Sequence, residues 1–307
     1  MRFTGIVPTE LTGPLDRVVR TLYGASWGRA RALIGTGKVR VDGAVTLEAT
    51  ARVVTGAEIA IDPQAARQRH PELADSQVVH WDAQVVVVAK PAGVSTIPYD
   101  DGEADTLDAR VRGWLERRRL APPGRRPSLG VVHRLDKETT GLVVFTRTWL
   151  AKKTLAAQFR RHTVHRKYLA IVAGSVTAKS TMRSWFVDDR GDGLRGSARG
   201  GKGAKGQEAV THVEPIETLA GATLIACRLE TGRTHQIRIH LSEAGHPLLG
   251  ERVYARRFRG ELPPAPRMML HAAELGFVHP ATEREVRWQQ AVPDDMSEVL
   301  DRLRRVR

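Results

Sequence analysis

The chain has 307 residues, of which 41% are hydrophobic, enough for two domains with buried cores and too apolar for global disorder. Its 48 lysines and arginines outnumber 34 acidic residues, and the formal net charge of +14 favours polyanionic partners, because each neutralised phosphate releases counterions. The single cysteine, Cys227, excludes an intrachain disulfide and a cysteine-built metal site.

The opening MRFTGIVPTELTG lacks an apolar signal core, and no run approaches the roughly 18 residues of a membrane span, so a cytoplasmic protein with no membrane partner is expected. Leu15, Val18, Val19 and Leu22 recur at helical spacing, as do Ala30, Leu33 and Ile34 after Ser26. Gly35 and Gly37 stop the second helix. KVRVDGAVT alternates around an Asp42-Gly43 hairpin turn, and AEIAI at 57–61 supplies another strand. This module, assigned to residues 1–65, holds six basic residues and no acidic one between 17 and 40: Arg17, Arg20, Arg29, Arg31, Lys38 and Arg40. Its segments LDRVV, SWGRARALI, GKVRVDG and VTGAEIAI resemble the small RNA-binding domain named after ribosomal protein S-four. That resemblance implies that Arg17, Arg29, Arg31, Lys38 and Arg40 contact RNA.

Residues 66–79 are polar and read as a linker, and from residue 80 the texture changes. VVVVAK reads as a buried strand, and TLDARVRGWL as a helix with Leu107, Val111 and Trp114 on one face. RRRLAPPGRRPSLG is a basic loop carrying Arg117, Arg118, Arg119, Arg125 and Arg126. GLVVFTR and KYLAIVAG are strands with a helix at 150–161 between them. DDRGDGLRGSARGGKGAKG, residues 188–206, is too rich in glycine to pack and is expected to be a flexible loop. Cys227, inside ATLIACRLE, reads as a buried structural residue. The basic segments at 110–126, 160–167 and 302–307 are expected to form an electrostatic track for a polyanion.

Four segments carry candidate chemistry: KPAGVSTIP (90–98), HRLDKETTGL (133–142), KYLA (167–170) and GRTHQIRIHLSEAGHPLLGERVY (232–254). In the last, Thr234 is the expected N-cap of a helix with Ile237, Leu241 and Ala244 as its apolar stripe, and Gly245 stops it before Pro247. Arg238 then projects from its first turns on another face.

Together these segments resemble the RluA-type pseudouridine synthase family, from about residue 80 to about 285 and including RMMLHAAELGFVHP. HRLDKETTGL followed about 100 residues later by GRTHQIRIHL is a highly specific pair; one departure is Glu251, where the family usually carries Asp. The resemblance implies an α+β fold: a small N-terminal RNA-binding domain plus a mixed, mostly antiparallel-sheet catalytic domain at 80–307 with a central cleft. It also implies RNA as partner, ribosomal RNA of the large subunit first and transfer RNA as the alternative; a monomer is the default expectation, and no cofactor is expected, since the chain carries no nucleotide-cofactor motif.

Converting uridine to pseudouridine breaks N1–C1′, turns the uracil and rejoins it through C5, with no redox step or group donor. The step needs an ionised carboxylate at the sugar, as a nucleophile or to manage the 2′ proton. Burial would cost that carboxylate its charge, and a paired guanidinium counters this. Asp136 is the expected catalytic group and Arg238, by resemblance, its partner. Tyr168 is placed by resemblance against the target base, to stack on it or to help move the C5 proton. The base must leave its helix or loop first; Arg134 is the candidate to fill the vacated space or grip a phosphate. His133 is expected to fix the turn by hydrogen bonding, and His133, Arg134, Arg233 and Gln236 to line the substrate site.

Two rival classes fit the residues less well. A glycoside hydrolase needs two flanking carboxylates, and only Glu138 lies near Asp136 in sequence. A non-catalytic RNA-binding or ribosome-assembly factor would have lost Asp136, Tyr168 or Arg238, and all three are present. Zinc is discounted, since His162/His165 and His235/His240 lack the i,i+4 spacing of HExxH.

Overall fold

The computed structural model describes residues 2–305 except 48, 67–71, 100–102, 104, 121–126 and 199–205. Arg125 and Arg126 of the basic loop therefore lie outside the described residues, as do residues 306–307. The chain divides into two compact units, Met1–Ala74 with Ser95–Pro127, and Asp75–Val94 with Ser128–Arg307.

The first unit holds β1 (Phe3–Ile6), β2 (Gly13–Pro14), β3 (Val39–Val41), β4 (Ala44–Val45), β5 (Arg52–Val53) and β6 (Glu58–Ile61). Its helices are α1 (Leu15–Tyr23), α2 (Trp27–Gly35) and α3 (Leu107–Arg117). A four-stranded antiparallel sheet runs β1-β6-β3-β4, and β2 pairs β5. Leu15, Val18 and Val19 of α1 and Ala30, Leu33 and Ile34 of α2 pack on Val39, Ile59 and Ile61. The helical periodicity thus becomes one core, each fully buried aliphatic side chain contributing roughly 1.5–3 kcal/mol. Ser26 caps α2 by accepting from the Arg29 N–H at 3.3 Å. Asp42 and Gly43 both take positive φ, 49° and 78°, as the predicted two-residue hairpin requires. In α3, Leu107, Val111 and Trp114 are buried as their spacing implies.

The second unit contains β7 (Val78–Trp81), β8 (Val85–Lys90), β9 (Gly130–Val131), β10 (Thr140–Thr146), β11 (His165–Ala173), β12 (Ser180–Val187), β13 (Gly196–Ser197), β14 (Gln207–Leu219), β15 (Ala222–Leu229), β16 (Leu270–Val278) and β17 (Glu285–Gln289). Its helices are α4 (Trp149–Arg160), α5 (Gln236–Glu243) and α6 (Asp294–Arg305). The eleven strands form one sheet, ordered β13-β12-β14-β15-β11-β16-β10-β8-β7 with β17 on β16 and β9 on β10. Every pairing is antiparallel except β10 with β16, which meet at Thr140–His271 and Gly141–Ala272. The fold is therefore α+β with a mostly antiparallel sheet, as the resemblance implied.

All seven residues of β10 are buried, so its apolar run reads as a central strand. Gly141 has φ +110°, and a Cβ there would lie 2.3 Å from the Ala272 carbonyl oxygen. The glycine of HRLDKETTGL thus permits the one parallel junction of the sheet, five residues after Asp136. Thr148 caps α4 by accepting from Ala151 N–H at 3.1 Å. On α6, Met296, Val299, Leu300 and Leu303 pack on Ile171 and Leu224 of the sheet.

Three expectations change. A strand begins at Val78, preceded by a 3-10 turn at Asp75–Gln77, so the end of the expected linker is structured; residues 67–71 lie outside the described residues. The first half of the glycine-rich segment is pinned rather than loose. Asp189 accepts from Gly191 and Gly193 N–H, Arg190 pairs with Asp192 and Glu243, and Gly196–Ser197 joins β12. Its residues 199–205 lie outside the described residues. The helix cap differs as well: His235, not Thr234, is the N-cap of α5, in a left-handed conformation with φ 60° and no side-chain cap bond. Cys227 is buried, and burial pushes its thiol up to about 12. Among the described residues no helix is long and apolar enough to cross a membrane.

Candidate active site

HRLDKETTGL forms a turn ahead of β10, closed by Thr139 N–H donating to the Asp136 carbonyl at 3.0 Å. Two anchors hold it. Val144 N–H donates to His133 Nε2 at 3.0 Å, and the His133 ring stacks on Phe159 of α4. Behind the turn, the buried Lys90 ammonium donates to the carbonyls of Pro91 (2.9 Å), Val94 (2.7 Å) and Lys137 (2.8 Å). Gly93 N–H donates to the same Lys137 carbonyl. KPAGV therefore serves as a backing for the residue next to Asp136, and satisfying all three ammonium donors makes a buried lysine tolerable.

Asp136 faces α5. Arg238 Nη1 donates to its Oδ2 at 3.2 Å, and His235 Nε2 lies 3.9 Å from Oδ1. Arg238 gives its other edge to Glu251, Nε to Oε2 at 2.7 Å and Nη2 to Oε1 at 3.0 Å. Glu251 is buried and also accepts from Val253 and Tyr254 N–H. Burial alone would lower the Arg238 pKa, but Glu251 and then Asp136 outweigh it and raise it. Burial likewise favours a neutral Glu251, yet the guanidinium and the two backbone donors hold its carboxyl below its ordinary value. Tyr254 closes the group: its hydroxyl meets His235 Nδ1 at 2.8 Å, and Arg238 lies over its ring.

A cavity of about 610 Å³ opens over this group, lined by Asp136, Tyr168, Arg238, His133, Arg134, Arg233, Gln236, Arg166 and His235, among others. Among the described residues Asp136 is the one carboxylate in its lining, and Glu138 is exposed and outside it, so these residues do not build the two-carboxylate geometry of a glycosidase. Tyr168 is buried on β11, and burial, with the nearby Asp136 charge, raises its pKa against the opposing pull of Arg166, keeping the phenol protonated at neutral pH. His133 is held down to about 3 by burial and by Arg166.

The structure thus gathers Asp136, Tyr168, Arg238, His133, Arg134 and Arg233 around one cavity, Arg134 exposed at its edge and Arg233 bonded through Nε to the Glu208 carbonyl. Gln236 also borders it, with its amide engaged within the fold. Its Oε1 accepts from Thr231 Oγ1 and Arg233 N–H, and its Nε2 donates to the Val210 carbonyl and Thr211 Oγ1. With both donors and both lone pairs used, Gln236 holds the loop before α5 to β14. Sequence reasoning missed Glu251, His235, Tyr254 and Arg166. Glu251 had been noted only as a departure, and its sole signal was an acidic residue that must be buried beside the apolar LL of LLGERVY.

Among the basic residues of the first unit, Arg17 and Arg29 are exposed. Arg31 pairs with buried Asp16 at 2.9 Å, Lys38 donates to the Pro63 carbonyl, and Arg40 to that of Gly43. Trp27 is 44% exposed, with Arg20 and Arg31 over its ring.

A family model described as RNA pseudouridylate synthase matches residues 84–243. The Pseudomonas aeruginosa protein named ribosomal large subunit pseudouridine synthase D is 35% identical over 319 residues, covering 98% of this chain and 95% of its own. The Zymomonas mobilis protein of the same name is 35% identical over 295 residues, covering 92% and 91%. In fold, the chain is similar to human RNA pseudouridylate synthase domain containing 4, at a TM-score of 0.60 and 24% identity over 75% of this chain and 93% of that one. The human domain containing 1 protein gives 0.54 and 23% over 73% and 87%. With the two specific motifs meeting at one cavity and relatives this similar along nearly the whole chain, the chain belongs to the RNA pseudouridylate synthase family of enzymes.

Proposed function

We propose that this protein isomerises specific uridines to pseudouridine in structured RNA, with large-subunit ribosomal RNA as the substrate, and that Asp136 performs the chemistry. The observation that carries this reading is the single cavity-lining carboxylate held against Arg238 Nη1 at 3.2 Å. Arg238, oriented by Glu251, aims Nη1 at Asp136 Oδ2 and holds the carboxylate in place as uracil and ribose enter the cavity. In one route the carboxylate attacks C1′, an ester forms as N1–C1′ breaks, and C5 of the turned uracil displaces the carboxylate from C1′; in the other it takes the 2′ proton as N1–C1′ breaks to a glycal, and returns that proton to C2′ as C5 bonds to C1′. In both, C5 then loses its proton and N1 gains one. Atoms and electrons balance within the nucleotide, so no cofactor is required.

Tyr168 borders the space the uracil would occupy and offers a face for stacking with a protonated hydroxyl. Arg134, exposed at the cavity edge, suits the vacated base position or a phosphate. Arg17, Arg29 and Trp27 give the first unit an exposed cationic and aromatic surface for RNA, acting in a monomer. The ribosomal substrate is supported by the names of the relatives above.

The test is pseudouridine mapping of total RNA from cells with and without the gene, with Asp136→Ala as the rescue variant. Loss of one or a few ribosomal sites that wild type restores and Asp136→Ala does not is the expected result. Sites lost from transfer RNA instead would move the substrate. No lost site, or full rescue by Asp136→Ala, would leave an RNA-binding factor without this catalysis.

A further inference from the structure

Arg166 sits two residues before Tyr168 on β11 and so shares its face of the strand. It lines the same cavity and is 8% exposed. Its Nη2 donates to the Glu230 carbonyl at 3.0 Å, and its guanidinium lies over Phe159 with 5.6 Å from Cζ to the ring centroid. Nε is buried with no hydrogen-bond partner, and among the described residues no carboxylate pairs with this cation. Its neighbour His133 spends Nε2 as an acceptor and stays neutral, so the positive charge of this wall belongs to Arg166. Carbonyls and an aromatic face offset only part of the several kcal/mol that desolvating a charge costs. The other cavity-lining cations differ: Arg134 and Arg160 are exposed, Arg233 is only half-buried and spends Nε on the Glu208 carbonyl, and Arg238 already holds two carboxylates.

Gly232 adds a second observation. A Cβ at this position would lie 2.7 Å from Arg166 Nη1, so any larger residue here would push the end of the guanidinium out of its present place.

We propose that Arg166 is a phosphate-binding residue inside the cavity, accepting a backbone phosphodiester of the target RNA strand, and that Gly232 keeps that position free. This rests on the reading of the chain as an enzyme acting on RNA, whose one kind of anion is the phosphodiester. An incoming phosphate supplies the anionic partner that the guanidinium lacks, and a charged hydrogen bond in a desolvated wall is stronger than one at the exposed rim. Arg166 is thereby a positioning residue: it holds the nucleotide's backbone while Asp136 addresses the sugar.

The experiment titrates full-length wild type, Arg166→Gln and Gly232→Ala with an unmodified large-subunit ribosomal RNA transcript at several salt concentrations, and follows pseudouridine formation in parallel. Arg166→Gln is expected to weaken binding roughly tenfold to a hundredfold and to flatten the plot of log affinity against log salt by about one unit. The loss should fall on KM more than on kcat. Gly232→Ala should weaken binding in the same direction, and the double variant should lose little beyond Arg166→Gln, because both act on one contact. A wild-type salt slope in Arg166→Gln, or full additivity in the double variant, overturns the proposal. Should Arg166→Gln fail to fold, Gly232→Ala decides: wild-type affinity there overturns it as well. Pseudouridine formation by the wild type separates the two levels, since its absence sinks the functional reading, whereas its presence with an unchanged slope sinks only the role of Arg166.

Discussion

Glu251 takes two nitrogens of the Arg238 guanidinium, Nε at 2.7 Å and Nη2 at 3.0 Å, and leaves Nη1 to meet Asp136 at 3.2 Å. The arginine is therefore oriented before any substrate arrives. Its planar fork matches one carboxylate edge-on, and the remaining N–H is aimed at the other. Because Glu251 is fixed in turn by Val253 and Tyr254 N–H, the geometry at Asp136 is set by a residue that does not line the cavity. Glu251→Ala leaves the Arg238 charge buried with half its partners and should cost about 3–5 kcal/mol in denaturant unfolding. Glu251→Gln keeps the shape and should fold, with kcat down at least tenfold; wild-type kcat in that variant would remove Glu251 from the positioning of Arg238.

Tyr168→Phe keeps the ring, so melting temperature and RNA affinity should stay close to wild type. The hydroxyl is buried and held protonated, which lets it donate to a reacting atom but makes it a poor base until its surroundings change. Single-turnover pseudouridine formation by Tyr168→Phe should fall by more than tenfold. An unchanged rate would make Tyr168 a stacking surface alone.

The folded-state pKa of His133 lies at about 3, below its ordinary 6.5, because burial and Arg166 disfavour the imidazolium. A depressed histidine contributes stability that is complete above pH 6.5 and is lost as pH falls from 6.5 towards 3, since the unfolded chain binds the proton first. His240, held at about 4 by burial, works in the same direction. Unfolding free energy should drop by about 2 kcal/mol from His133 alone between pH 7 and pH 5. His133→Gln, whose Oε1 can accept the Val144 N–H, should make that drop smaller; an identical pH profile would refute the assignment.

Gly141→Ala should be among the most damaging small substitutions in the chain. It combines a φ of +110° with a methyl group 2.3 Å from the Ala272 oxygen, and the cost should exceed about 3 kcal/mol. Circular dichroism and thermal melting are the readout, and a variant as stable as wild type would mean the β10–β16 junction tolerates separation.

Local patterns were readable wherever one element satisfies itself. The i, i+3, i+4 spacing of Leu15, Val18 and Val19, the Asp42-Gly43 turn and the apolar run of β10 all became the elements that their periodicity implies. The cap of α5 was not: Thr234 has the right chemistry, but His235 takes the left-handed position, with its ring bonded to Tyr254 and near Asp136. Long-range satisfaction outweighed local propensity there. The glycine-rich segment misled for a similar reason. Composition allowed for Gly191 and Gly193 but not for Asp189 gathering their N–H groups or for Glu243 of α5 holding Ser197.

By itself the sequence determined the family, the identity of Asp136, Tyr168 and Arg238 as the residues to examine, and most helix and strand positions. Motifs and periodicity are carried by residue type and spacing, which survive in one dimension. Only the tertiary structure decided that Glu251 is the second carboxylate of Arg238, 13 residues away on the chain. It alone brought Lys90 behind Lys137, turned Gln236 into a fully used loop clamp and left Arg166 buried with no carboxylate partner among the described residues. Each of these depends on which donors and charges meet after strands distant in sequence have paired, because a hydrogen bond or ion pair acts over about 3 Å and spacing along the chain does not encode that distance.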